Sequence, residues 1–145
     1  MVNMSHIHGL NKQQLIELLQ RYGIMPTQQR VEIAQVMFSR PQHLSAEQVL
    51  GMVNHERNLV SKATVYNTLR LFASKGLIRE VIVDPTRVFY DPNTSDHHHF
   101  YHVDTGTLMD IDAQQVALDK LPELPPNTVA EGIDVIIRLR NARTR

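Results

Sequence analysis

The chain contains no cysteine. That single absence excludes disulfides, cysteine-ligated zinc, thiol redox sensing and cysteine catalysis together. Any metal must then be held by histidine and oxygen. Net charge is lacking too, with 15 Lys and Arg against 15 Asp and Glu. No apolar run approaches the roughly 18 residues of a membrane span, and the opening Met-Val-Asn-Met-Ser-His-Ile-His lacks the basic and apolar regions of a signal peptide. A cytoplasmic location with no membrane partner is expected. Internal repeats and low-complexity segments are absent.

What charge there is lies unevenly. Residues 1–83 hold nine Lys or Arg against five Asp or Glu, a balance of +4, and residues 84–145 hold six against ten, a balance of −4. A mildly basic first part is compatible with phosphate contacts, although +4 is too small to establish nucleic-acid binding. At 145 residues the chain suits one domain or two small ones, with enough apolar content for a core.

Residues 1–9 read as a flexible arm carrying His6 and His8. Leu15, Ile16, Leu18, Leu19 and Tyr22 then repeat with helical spacing up to Gly23. Thr27 is placed to cap a second helix with Val31, Ala34, Met37 and Phe38 along one side. His43 precedes Ser45-Ala-Glu-Gln48, a capping-box pattern that opens a third helix. Ser61 caps a fourth, residues 62–75, which Gly76 stops. Its apolar stripe is Val65, Leu69, Phe72 and Ala73, while Thr64, Asn67, Arg70 and Ser74 recur on another face. Residues 78–83 and 88–91 read as a hairpin around Asp84-Pro-Thr-Arg87.

Three helices, a polar-faced fourth and a hairpin form the order of a winged helix-turn-helix, whose last helix enters the major groove of double-stranded DNA. By donor and acceptor inventory Arg70 suits guanine or phosphate, Asn67 adenine, and Thr64 and Tyr66 phosphate. Lys62 is a further phosphate contact, and Arg87 on the hairpin joins the DNA-facing set. An ordinary solvated helix face fits the same residues.

The densest chemistry runs from Asp91 to Asp110, where four of the eight histidines and four carboxylates fall within twenty residues. If His99 to Val103 is a strand, His97, His99 and Tyr101 project to one face and His98 and Phe100 to the other, because side chains alternate with period two. His97 and His99 then suit one ion. Imidazoles with carboxylates favour a borderline-hard divalent ion such as iron or manganese. A solvated, partly titrated histidine run is the alternative.

Strands at residues 99–103 and 107–111 are expected around Asp104-Thr-Gly106. Asp112 is placed to cap a short helix over 113–120, and prolines follow at 122, 125 and 126. Residues 131–140 read as a closing strand with Ile133, Val135, Ile137 and Leu139 on one apolar face. The fold class is therefore α+β: a winged helix-turn-helix domain over residues 10–91, a hinge at about 84–95, and a small α/β dimerisation and metal-sensing domain over 92–145. About fifty residues are too few to be stable alone, so a homodimer is expected.

In Pro26-Thr-Gln-Gln-Arg30, His43-Leu-Ser-Ala-Glu47, Ser61-Lys-Ala-Thr-Val-Tyr-Asn-Thr-Leu69 with Gly76-Leu-Ile, and the histidine run ending at Gly106, the sequence resembles the ferric uptake regulator family of metal-responsive transcription factors over about residues 10–141. The resemblance implies a repressor that binds an inverted-repeat operator. It also implies that His43, Asp91, His97, His99 and Asp110 ligate a sensing metal between the two domains, ferrous iron or manganese with zinc as a further candidate. There is no structural zinc of the paired CxxC kind, because the first pair's positions read His102 and Thr105. A second metal site in some members has partial equivalents in Asp96 and His98, but the downstream acid falls at Ala117.

Within the family, Asn67 in its motif, Thr-Ser-Asp-His-His-His-Phe and the end Ile-Asp-Val-Ile-Ile-Arg-Leu-Arg look most like the iron response regulator branch. That branch senses iron through haem, which makes haem on His97, His98 and His99 a candidate cofactor and iron and haem homeostasis genes the implied targets. His102 is a further candidate ligand. The family's peroxide-sensing and manganese-responsive regulators are the nearest alternatives.

Two readings come from other classes. A small non-haem iron enzyme would use His97, His99 and a carboxylate as a facial triad, but no separate acid, base or nucleophile accompanies them, so no enzymatic activity is expected. A metal carrier would use the histidine run as a sponge for several weak ions.

Overall fold

The computed structural model describes residues 9–143. His6 and His8 lie outside the described residues. The chain divides into two compact units, one ending at Ser95 and the other starting at Asp96.

In the first unit four helices begin on side-chain caps that satisfy otherwise orphaned backbone donors. Asn11 Oδ1 accepts from the Gln14 N–H at 2.8 Å and starts α1, Lys12–Arg21. Thr27 caps α2, Gln28–Met37. The pattern expected at Ser45 is realised, since its hydroxyl accepts from the Gln48 N–H at 3.2 Å and Gln48 Oε1 accepts from the Ser45 N–H at 2.9 Å. It opens α3, Ala46–Val53. Ser61 caps α4, Lys62–Ser74, whose chain turns off at Gly76 with φ 77°, a left-handed angle that favours glycine.

Leu15, Leu19, Ile33, Met37, Val49, Val65, Leu69 and Phe72 bury the facing sides of these helices in one core. That packing, more than helix propensity, holds elements of only 8 to 13 residues. The unit ends in a hairpin of β1, Arg79–Asp84, and β2, Arg87–Asp91, paired antiparallel with Val81 opposite Phe89. Its turn is closed by Asp84 Oδ1, which accepts from the Thr86 hydroxyl at 2.7 Å and the Thr86 N–H at 2.8 Å.

The second unit is a three-stranded sheet in the order β4-β3-β5. The central β3, His97–His102, starts two residues earlier than expected and holds the whole histidine run. It pairs antiparallel with β4, Thr107–Asp112, across a turn in which Gly106 takes φ 71°. It pairs parallel with β5, Ile136–Leu139, His99 lying beside Ile136.

Asp112 makes no capping hydrogen bond, and only a single 3₁₀ turn, Ala113–Gln115, stands where a helix over 113–120 was expected. A two-turn helix is marginal by itself, and Leu118, Leu121 and Leu124 remain exposed, so no apolar surface supports one. The closing strand is also shorter than residues 131–140, because β3 offers partners only from His99 to His102.

Candidate metal centre and DNA-facing helix

His43 and Asp91 meet in the first unit because of backbone register. Leu44 and Tyr90 form an isolated antiparallel bridge, with the Leu44 N–H donating to the Tyr90 carbonyl at 3.0 Å and the Tyr90 N–H to the Leu44 carbonyl at 2.7 Å. In an antiparallel pair the next residue of one strand faces the preceding residue of the other, which sets His43 across from Asp91. Their Nε2 and Oδ2 atoms lie 3.0 Å apart. The other carboxylate oxygen of Asp91 accepts from the Asn93 N–H at 2.9 Å, so the group is held from both sides.

In the second unit His99 lies opposite Asp110, and His97 is two residues back on the same face. The Nε2 atoms of His97 and His99 each lie 3.4 Å from Asp110 Oδ1, and the two rings stand edge to face at 4.6 Å. Both histidines are buried. Neighbouring ligands about 2.0–2.2 Å from one ion are separated by roughly 3.0 Å in an octahedral and 3.4 Å in a tetrahedral arrangement. Each half-set therefore has the spacing and the imidazole and carboxylate chemistry of a divalent metal site.

The other candidate ligands are placed differently. His98 points to the opposite face, where its Nδ1 accepts from the Val135 N–H at 3.0 Å, which puts the ring proton on Nε2. His102 Nε2 lies 2.9 Å from Asn141 Oδ1. Asp96 is exposed. These three fall in no group of three or more possible ligands among the described residues.

On α4, Lys62, Asn67 and Arg70 are exposed, while Thr64 and Tyr66 are half-buried and Val65, Thr68, Leu69 and Phe72 face the core. The Lys62 ammonium stands 5.9 Å from the Tyr66 ring centre. Arg87 is exposed at the start of β2.

Sequence reasoning missed two clamps. Asn54 Oδ1 accepts from the Leu59 N–H at 2.9 Å and the Val60 N–H at 3.0 Å, while its Nδ2 donates to the Val60 carbonyl at 2.7 Å, fixing the loop that leads into α4. Asp104 accepts from the Asn141 N–H at 2.9 Å and ties the chain after β5 to the β3–β4 turn. Neither contact follows any local spacing rule, so the sequence carries no signal for them.

A helical core with an outward polar helix and a two-stranded wing defines the first unit as a winged-helix DNA-binding domain. A model of the ferric uptake regulator family matches residues 21–123. The peroxide-responsive repressor PerR of Staphylococcus epidermidis is 28% identical over 109 residues, covering 75% of this chain and 71% of that protein. The ferric uptake regulator of Pseudomonas aeruginosa with manganese aligns with TM-score 0.65 and 24% identity, covering 88% of this chain and 97% of that one. The Vibrio cholerae ferric uptake regulator gives TM-score 0.68 at 18% identity, covering 87% and 98%. The chain belongs to the ferric uptake regulator family, whose members are metal-responsive, DNA-binding transcription regulators and not enzymes. Among the described residues no helix is long and apolar enough to cross a membrane.

Proposed function

We propose that this regulator is a repressor switched by one divalent ion per chain, ferrous iron or manganese, held by His43, Asp91, His97, His99 and Asp110. The observation that carries the reading is the convergence of His97 and His99 on a single oxygen of Asp110. Three imidazoles and two carboxylates match a borderline-hard ion better than a soft one. His43 must present a neutral Nε2 to hold an ion, so metal affinity falls as the pH is lowered and loading is linked to proton release. Because the ligands come from both units, the ion favours one arrangement of them by its differential affinity, and that is enough to switch DNA binding.

Lys62, Thr64, Tyr66, Asn67 and Arg70 of α4 are the DNA-facing residues, with Arg87 at the wing. A homodimer would cover the apolar face of the second unit, where Ile133, Ile137 and Met109 remain exposed, and a two-fold dimer suits an inverted-repeat operator. Iron and haem homeostasis genes are the expected targets.

The deciding experiment is operator binding by metal-stripped protein, titrated separately with manganese, ferrous iron and haem beside a His97→Ala/His99→Ala variant. Restoration by manganese or iron, absent in the variant, is the expected result. Release of an already bound operator by haem would instead make the histidine run a haem-triggered off-switch.

A second reading draws on the similarity to the peroxide-responsive repressor. An iron ion on histidine and aspartate is open to attack by peroxide. Mass spectrometry of iron-loaded protein after peroxide treatment tests it, a gain of one oxygen on His43, His97 or His99 being the positive result.

A further inference from the structure

The Leu44–Tyr90 bridge lies between the candidate ligands and the cap of α3. Along one strand of it the order is His43, a ligand of the proposed ion, then Leu44 in the bridge, then Ser45 at the cap of α3. Along the other it is Tyr90 in the bridge, then Asp91. Helix α3 packs on α4. The Tyr90 side chain, only 5% exposed, is part of the helical core, and Tyr66 of α4 packs against that core. Burial pushes the Tyr90 phenol above its ordinary value, with Glu80 of β1 and Arg70 and Tyr66 of α4 as its charged and polar neighbours. One residue thus has its main chain beside the ligand pair and its ring among the residues behind the DNA-facing helix.

We propose that Tyr90 is a positioning residue that transmits the state of the His43–Asp91 pair to α4 inside the first unit, so that the ion sets DNA affinity there as well as through the arrangement of the two units. The proposal rests on the metal-switch reading above. His43 and Asp91, held together by an ion, would restrain the Leu44–Tyr90 bridge beside them, and with it the end of the wing and the cap of α3 against the core that supports α4. Without the Tyr90 ring the ion still binds, but its effect on α4 is lost.

The test uses full-length protein and manganese. Operator affinity is measured with and without the ion for the wild type, Tyr90→Leu and Tyr90→Phe, together with manganese affinity in the absence of DNA and amide exchange at Leu44 and Tyr90. The ratio of the two operator affinities is expected to fall about tenfold in Tyr90→Leu, within the usual range of coupling between sites. Manganese affinity should hold, and Tyr90→Phe, which keeps the ring, should rescue the ratio. In the wild type, manganese should slow exchange of the Leu44 and Tyr90 amides. A wild type indifferent to manganese sinks the metal-switch reading and this proposal with it. A responsive wild type alongside an equally responsive Tyr90→Leu overturns the proposal alone. Should Tyr90→Leu fail to fold, wild-type exchange decides: added protection at the two amides supports the path, and unchanged protection overturns it.

Discussion

At the residue scale, neighbouring histidines have different work because a strand alternates its faces. His97 and His99 look toward Asp110, whereas His98 is spent on the Val135 N–H. Asp110→Asn, which keeps the shape and removes the charge, should lower manganese affinity by more than the roughly 10- to 100-fold typical of losing a supporting partner. His98→Ala should leave that affinity alone and reduce stability by about 1–3 kcal/mol, through an unsatisfied backbone donor. Calorimetric titration and thermal melts of both variants separate the two roles. Asp84 offers a pH signature of its own. The Thr86 hydroxyl and N–H, helped by Arg87, hold its carboxyl below the ordinary 3.8. A depressed folded value means stability present above 3.8 and lost as pH falls through the folded value. The wild type should therefore melt above Asp84→Asn at neutral pH, and the gap should close in acid.

At the element scale, the exposed polar face of α4 and the buried residues behind it call for different tests. Lys62→Ala should weaken binding to all DNA sequences alike and reduce the salt dependence by about one counterion, while Arg70→Ala should blur discrimination between operators. An operator preference unchanged by Arg70→Ala would remove that residue from base reading. Behind the helix, Phe72→Ala should cost about 3–5 kcal/mol as a buried aromatic lost from a packed core. The four helices, their caps at Thr27, Ser45 and Ser61 and the wing were legible in the sequence, since caps and apolar periodicity act over three or four residues. The expected helix after Asp112 was not a good reading. Local capping pattern favours it, but three prolines downstream and the lack of an apolar partner surface override that preference.

At the scale of the whole molecule, the second unit is too small to close a core of its own. Its β5 presents Ile137 outward, and Met109 lies exposed on β4. Ile137→Glu should convert a dimer to monomers in sedimentation equilibrium and reduce operator affinity together with it. A wild type that sediments as a monomer at micromolar concentration would contradict the dimer.

The sequence by itself determined the helices, the wing, the polar face of α4 and the shared face of His97 and His99, because each depends on residues within one period of a helix or strand. It also determined that any metal must sit on nitrogen and oxygen. Tertiary structure alone decided how His43 and Asp91 meet, across the Leu44–Tyr90 bridge, that His98 is a structural acceptor, and that Asn54 and Asp104 are clamps. The Leu44–Tyr90 register joins His43 to Asp91 across 48 positions, His98 and Asp104 each reach a backbone N–H 37 positions away, and Asn54 clamps a loop five and six residues on, separations that no helix or strand period covers.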